Sequence, residues 1–92
     1  MKKIVIARLY IKDGSVADFK KQAALIIEKT RQEKGCLFYS LFEDVSCAGE
    51  FLFYEEYTDQ QALDIHTHSE YLKKFRAAVN DMKAKDSMVE VL

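Results

Sequence analysis

The sequence predicts an α+β fold on the ferredoxin-like plan, β-α-β-β-α-β, with a four-stranded antiparallel sheet and two helices on one face. Three observations point to it. Segments rich in β-branched and aromatic residues alternate, in that order, with segments of helical apolar periodicity. Turn residues separate them, and 92 residues leave room for one core only. Residues 1–92 are therefore read as a single domain, without linker, low-complexity tract or internal repeat.

The elements follow in order. Residues 3–11 (Lys-Ile-Val-Ile-Ala-Arg-Leu-Tyr-Ile) read as a strand closed by the turn Asp13-Gly14. Ser15, with Asp18 three residues on, is a capping-box variant. It opens a helix whose apolar stripe is Val16, Phe19, Ala23, Ile26, Ile27 and Thr30, and Gly35 is expected as its left-handed stop. Residues 36–43 and 50–57 are too aromatic and too short for helices and form a hairpin around Ser46 to Gly49. Thr58 and Gln61 make a second capping box, Ser69 caps a continuation, and Leu72, Phe75, Val79 and Met82 form one helical stripe. Residues 87–92 read as a last short strand.

Charge excludes several partners. The chain carries 14 basic and 15 acidic residues, a formal charge of −1, so it is neither a polybasic nucleic-acid binder nor an acidic tail. The basic residues Lys73, Lys74, Arg76, Lys83 and Lys85 are read as a solvated face near a helix end. Arg8 cuts the N-terminal apolar run short of a signal peptide, and no run reaches the roughly 18 residues of a membrane span. Cys36 and Cys47 have no metal or redox spacing. The expectation is a soluble cytoplasmic protein with two free thiols, Cys36 buried on its strand.

Five Tyr and six Phe exceed what so small a core covers. In the first strand Val5/Ala7/Leu9/Ile11 and Ile4/Ile6/Tyr10 are both apolar sets, and in the third Phe51/Phe53/Tyr57 back onto Leu52/Tyr54. Neither face reads as a solvent face. Two helices cover one side only, so a homodimer with sheet packed on sheet is predicted.

The most informative stretch runs from Tyr54 to His66. Period-two alternation puts Glu55 on the face of Phe51, Phe53 and Tyr57, where burial raises a carboxyl pKa unless the group is paired. His66 is the obvious partner across the strand–helix junction. A histidine held by a carboxylate acts as a general base, and Tyr39, Tyr54, Tyr57 and Tyr71 offer hydroxyls to a developing oxyanion. Phe53 is a candidate substrate contact. Arg8, the charged residue inside the first strand, offers either a bidentate anchor for an anionic or carbonyl group or an ion pair with an acid on a neighbouring strand. The plain structural alternative is that Glu55 and His66 only satisfy each other at a buried junction.

These residues resemble a known family. Tyr54-Glu55-Glu56-Tyr57-Thr58-Asp59 followed by Ile65-His66, and the run Glu33-Lys34-Gly35-Cys36-Leu37-Phe38-Tyr39, are similar to the motifs of the antibiotic biosynthesis monooxygenase domain, and the likeness covers essentially the whole chain. The resemblance implies a dimeric α+β barrel with a pocket per subunit near the third strand and second helix. It also implies oxygenation of a quinol, polyphenol or small enolisable carbonyl compound by molecular oxygen without metal, flavin or other cofactor. Carried over residue by residue, Glu55 matches the strand carboxylate, Tyr57 the following aromatic and His66 the helix histidine. Tyr71 stands where the family has a second histidine, and His68 lies nearby. The expected roles are His66 as base or proton shuttle, Glu55 as its orienter, and Tyr71, Tyr39, Arg8 and Phe53 as substrate contacts.

Other readings are kept beside this one. One family branch processes a small signalling carbohydrate, which makes isomerisation the enzymatic alternative. A dimeric ligand-binding module of the same topology is the non-enzymatic one. Heme degradation fits less well in a chain without Trp. An RNA-recognition motif shares the strand order, and Arg8-Leu9-Tyr10-Ile11 is loosely like its first signature, but the glutamates of the third strand repel phosphate.

Overall fold

The first strand, β1, spans Lys3–Ile11 as expected, and one tight 3-10 turn at Asp13–Ser15 leads into α1, Val16–Thr30. The computed structural model describes residues 1–92 throughout. Ser15 makes no side-chain cap, because its N–H donates to the Lys12 carbonyl within that turn at 2.9 Å. The β-branched residues of α1 are poor helix formers. They are held because Phe19, Ala23, Ile26 and Thr30 bury one face on the sheet.

Helix α1 does not end on a left-handed glycine. Gly49, in the turn between the next two strands, is the residue with positive φ, at 87°. Instead Gln32 and Glu33 donate to the carbonyls of Lys29 and Thr30 in tightening turns. Gly35 serves closeness rather than handedness: a Cβ there would collide with the methyl of Ala62.

Strands β2, Cys36–Glu43, and β3, Glu50–Tyr57, form the predicted hairpin. The second helical region divides in two, α2 at Gln60–Thr67 and α3 at Glu70–Val79. The Thr58–Gln61 capping box does not form: the Thr58 N–H that Gln61 would accept from donates to the Gly35 carbonyl at 2.9 Å, and Asp59 is the cap, accepting from the Ala62 N–H at 2.9 Å. Ser69 caps α3 through the Leu72 N–H and donates to the His66 carbonyl, which separates the two helices. The last strand, β4, runs Lys83–Val91 and so starts earlier than hydropathy indicates. Backbone pairing to Tyr10 and Ile11, with register shifts there, extends it through polar residues, and the Lys85 ammonium lies 4.2 Å over the Tyr10 ring.

The sheet order is β2-β3-β1-β4, antiparallel throughout. Three helices, rather than two, cover one face. There Phe19 is fully buried, its ring 4.7 Å from that of Phe51 and 6.1 Å from that of Phe75. Burying such a side chain contributes about 2–3 kcal/mol. The other face carries Ile4, Ile6, Tyr10, Leu52 and Tyr54, with Phe42 and Met88 left 52% and 55% exposed. Cys36 is half-buried, Cys47 is exposed, and both thiols are free. No helix is long and apolar enough to cross a membrane.

Candidate active site

Three elements deliver the site. Alternation along β3 turns Phe53, Glu55 and Tyr57 toward the helices. The inward stripe of α2 carries Ala62, Leu63 and, one turn on, His66. The loop after α1 brings in Glu33, and the Gly35–Ala62 contact lets that loop and α2 lie side by side.

His66 sits between two carboxylates. Its Nδ1 is 3.0 Å from Glu33 Oε2, a hydrogen bond, whereas its Nε2 is 3.9 Å from Glu55 Oε1. The expected orienting role of Glu55 therefore passes to Glu33. Tyr71 also donates to Glu33 Oε2, and the other oxygen of Glu33 is buried without a partner. Tyr57 donates to Glu55 Oε1 at 2.7 Å. The His66 ring is held between Tyr57 and Tyr39, with centroids at 5.3 and 5.4 Å. With Nδ1–H directed at Glu33, the Nε2 lone pair is left on the side of Glu55.

Burial sets the protonation states. It pushes the Glu55 carboxyl from 4.5 up to about 7, opposed by the Tyr57 hydrogen bond, assisted by the charge of Glu33 and opposed again by Arg76. Burial also lowers the pKa of His66, against the pull of Glu33. The Tyr71 hydroxyl is raised to about 12 by burial and by Glu33, and burial raises those of Tyr39 and Tyr57 further. Burial likewise raises the Cys36 thiol to about 11, so it is no ready nucleophile. The site thus favours an uncharged imidazole beside a carboxyl whose pKa is raised toward neutrality.

Glu55 and His66 open into a cavity of about 320 Å³ between the sheet and helices α2 and α3. Its walls are mainly apolar, among them Leu9, Phe53, Leu72 and Phe75, and Tyr39 joins them. The buried Glu55 and His66 form the inner end, and the exposed Arg76 and Asn80, with the half-buried Lys83, lie at the mouth.

Of the residues expected at the site, Glu55, Tyr57, His66, Tyr39 and Phe53 come together. Tyr57 and Tyr71 act from behind, each holding a carboxylate rather than lining the cavity. Arg8 does not join them. It lies on the opposite sheet face, paired with Glu90 at 2.8 Å, because even-numbered β1 residues point away from the helices. Tyr54 is on that face too, donating to Glu56, and the exposed His68 bonds the Asp64 carbonyl of its own helix. Glu33 has no site role in the sequence reading, although it opens the motif run, and Arg76 and Lys83, expected on a solvated face, line the cavity instead. Glu33 and Glu55 address opposite nitrogens of one ring, so with His66 they suit proton transfer rather than convergence on one ion. Asp44, Cys47 and Glu50 lie within 4.8 Å of one another on the β2–β3 turn, where all are exposed and Asp44 accepts from Ser46.

The sequence profile of the antibiotic biosynthesis monooxygenase family matches residues 3–78. A solved chain described as an antibiotic biosynthesis monooxygenase superposes with a TM-score of 0.93 at 37% identity, over 100% of this chain and 96% of that one. The structure of Rv0793 from Mycobacterium tuberculosis gives 0.94 at 30% identity, over 100% and 93%. Provisionally named a monooxygenase, Rv0793 is 32% identical in sequence over 88 residues, 96% of this chain and 86% of the relative. The uncharacterized protein sll1783 of Synechocystis is 30% identical over 88 residues, 96% of this chain, which spans 60% of that relative's length.

Proposed function

The chain belongs to the antibiotic biosynthesis monooxygenase family, and on that premise we propose that it is a cofactor-independent monooxygenase acting on a quinol, polyphenol or small enolisable carbonyl compound with molecular oxygen. One observation carries the reading: a neutral imidazole oriented by Glu33 stands beside a carboxyl held near pH 7, at the inner end of an apolar cavity.

His66 Nε2 takes the proton from the substrate hydroxyl or acidic C–H, and Glu33 stabilises the imidazolium through Nδ1–H. Protonated Glu55 donates a hydrogen bond to the oxyanion. The electron-rich anion reduces O₂ and forms a C–O bond at the carbon that carries the charge. The imidazolium returns its proton through Nε2 to the peroxide anion, and the resulting hydroperoxide, with the hydrogen remaining on that carbon, loses water and leaves a carbonyl. One oxygen atom enters the product and the other departs as water, with all electrons drawn from the substrate. The apolar walls keep bulk water from the anion.

Oxygen consumption over a panel of quinols and anthrones tests this, with isomerisation of small hydroxyketones as a second arm. The expected result is one O₂ taken up per carbonyl formed with at least one panel member. Isomerisation without oxygen uptake identifies the isomerase, since the same pair of groups moves a proton between adjacent carbons. Binding with neither reaction identifies a ligand-binding module.

The uncovered sheet face supports a homodimer, with Phe42 and Met88 packed against a second copy. Sedimentation at micromolar concentration is expected to give a species of twice the chain mass of 10.7 kDa. A monomer there removes the sheet-on-sheet dimer. The two free thiols suit a reducing, cytoplasmic setting.

A further inference from the structure

We propose that the cavity selects substrates bearing an anionic group, a ring carboxylate or sulfonate, at the end remote from the reacting hydroxyl, with Arg76 and Lys83 at the mouth as its receptors. The inference rests on the oxygenase reading only for which end reacts. Arg76 stands in the last turn of α3, Asn80 in the turn that follows it, and Lys83 opens β4 opposite Ile11, so the chain reversal from helix to strand brings all three to one side of the molecule. All three line the cavity.

The cations paired to carboxylates in this chain are Lys2, Arg8, Lys20, Lys73 and, through its ring, His66. Arg76 and Lys83 have no acid within ion-pair distance. What separates them from Lys73, Lys74 and Lys85, expected from the sequence on the same solvated face, is their place in the lining of an apolar hollow. Glu55, the acid of the lining, does not account for them. Its carboxylate is held by Tyr57 and lies beside His66, with neither Arg76 nor Lys83 within ion-pair distance; the charge of Arg76 reaches it only from farther off. A guanidinium offers a planar fork to a carboxylate or sulfonate, and the ammonium adds a mobile donor. A flat aromatic body between these cations and His66 places its hydroxyl at the base and its charge at the rim.

The test compares 6-hydroxynaphthalene-2-sulfonate with 2-naphthol by calorimetric titration at pH 7, where both hydroxyls stay protonated. The wild type is expected to bind the sulfonate about tenfold more tightly, one per chain, with the preference shrinking in high salt. In the Arg76→Gln, Lys83→Gln double variant the affinity ratio falls toward one, and in Lys74→Gln, on the outer side of α3, it stays as in the wild type. Equal affinities in the wild type, or a ratio untouched by the double variant, overturn the inference and leave the oxygenase reading standing. An intact preference in a protein that turns over no quinol or anthrone leaves the anion receptor standing and removes the oxygenase.

Discussion

Replacing His66 by Ala lowers turnover roughly a hundred- to ten-thousandfold while the fold persists. In the proposed mechanism the ring's Nε2 is the base, and no other imidazole lines the cavity, since His68 is exposed and bonded to its own helix. Glu33→Gln provides the companion measurement. Its amide oxygen still accepts from Tyr71 and from His66 Nδ1, but it carries no charge to stabilise the imidazolium, so kcat falls about tenfold or more with KM little changed. A merely structural Glu33 would shift stability and leave kcat alone. Stopped-flow oxygen uptake on purified variants of matched circular dichroism decides it, and full activity in His66→Ala removes the histidine from the reaction.

Replacing Glu55 by Gln makes the protein more stable as the medium turns alkaline. The folded state raises this carboxyl from 4.5 to about 7, so folding favours the protonated form. The stability this brings is fully present below about pH 4.5 and is lost as pH rises through 7, to the extent of about 3 kcal/mol. Gln keeps the acceptor for Tyr57 and never ionises. Unfolding free energies from urea titration of variant and wild type are expected to agree near pH 4 and to diverge by about 2–3 kcal/mol at pH 9. The same substitution bears on the chemistry. If Glu55 donates to the oxyanion as proposed, it does so only when protonated, so wild-type activity is expected to decline above pH 7, and the variant, whose amide always donates, to lose that decline while retaining part of the activity. An identical pH dependence in the two proteins refutes both assignments. A residue that costs stability at working pH is the pattern expected of a functional group.

Most of the strand framework was legible because it is written in short-range chemistry. Residues 3–11, 36–43 and 50–57 read as strands from aromatic and β-branched content between turn residues, and the structure agrees. Period two likewise placed Glu55 with Phe53 and Tyr57. What eluded local reading depended on who meets whom across the chain. The expected box between Thr58 and Gln61 is lost because the Gly35 carbonyl, far away in sequence, occupies the Thr58 N–H, and Asp59 caps in its place. The early start of β4 owes to pairing with β1 rather than to hydropathy. Glu33 carries no periodic signature because it stands in a loop, 33 residues from the histidine it holds. The two arginines exchanged expectations for a similar reason: Arg8 fell on the even face of β1, and the turn of α3 set Arg76 at the cavity.

The contact between Gly35 and Ala62 reaches further than packing. It lies two residues from Glu33 and one helical turn from His66, so the separation of acid and imidazole is gauged by two of the smallest residues the genetic code offers. Variation at these two positions is thereby confined to a narrow corridor: each added carbon would wedge loop from helix and draw the carboxylate off Nδ1. Mutational drift can reshape the walls of the cavity, and with them the choice of substrate, while this pair of positions stays closed to it.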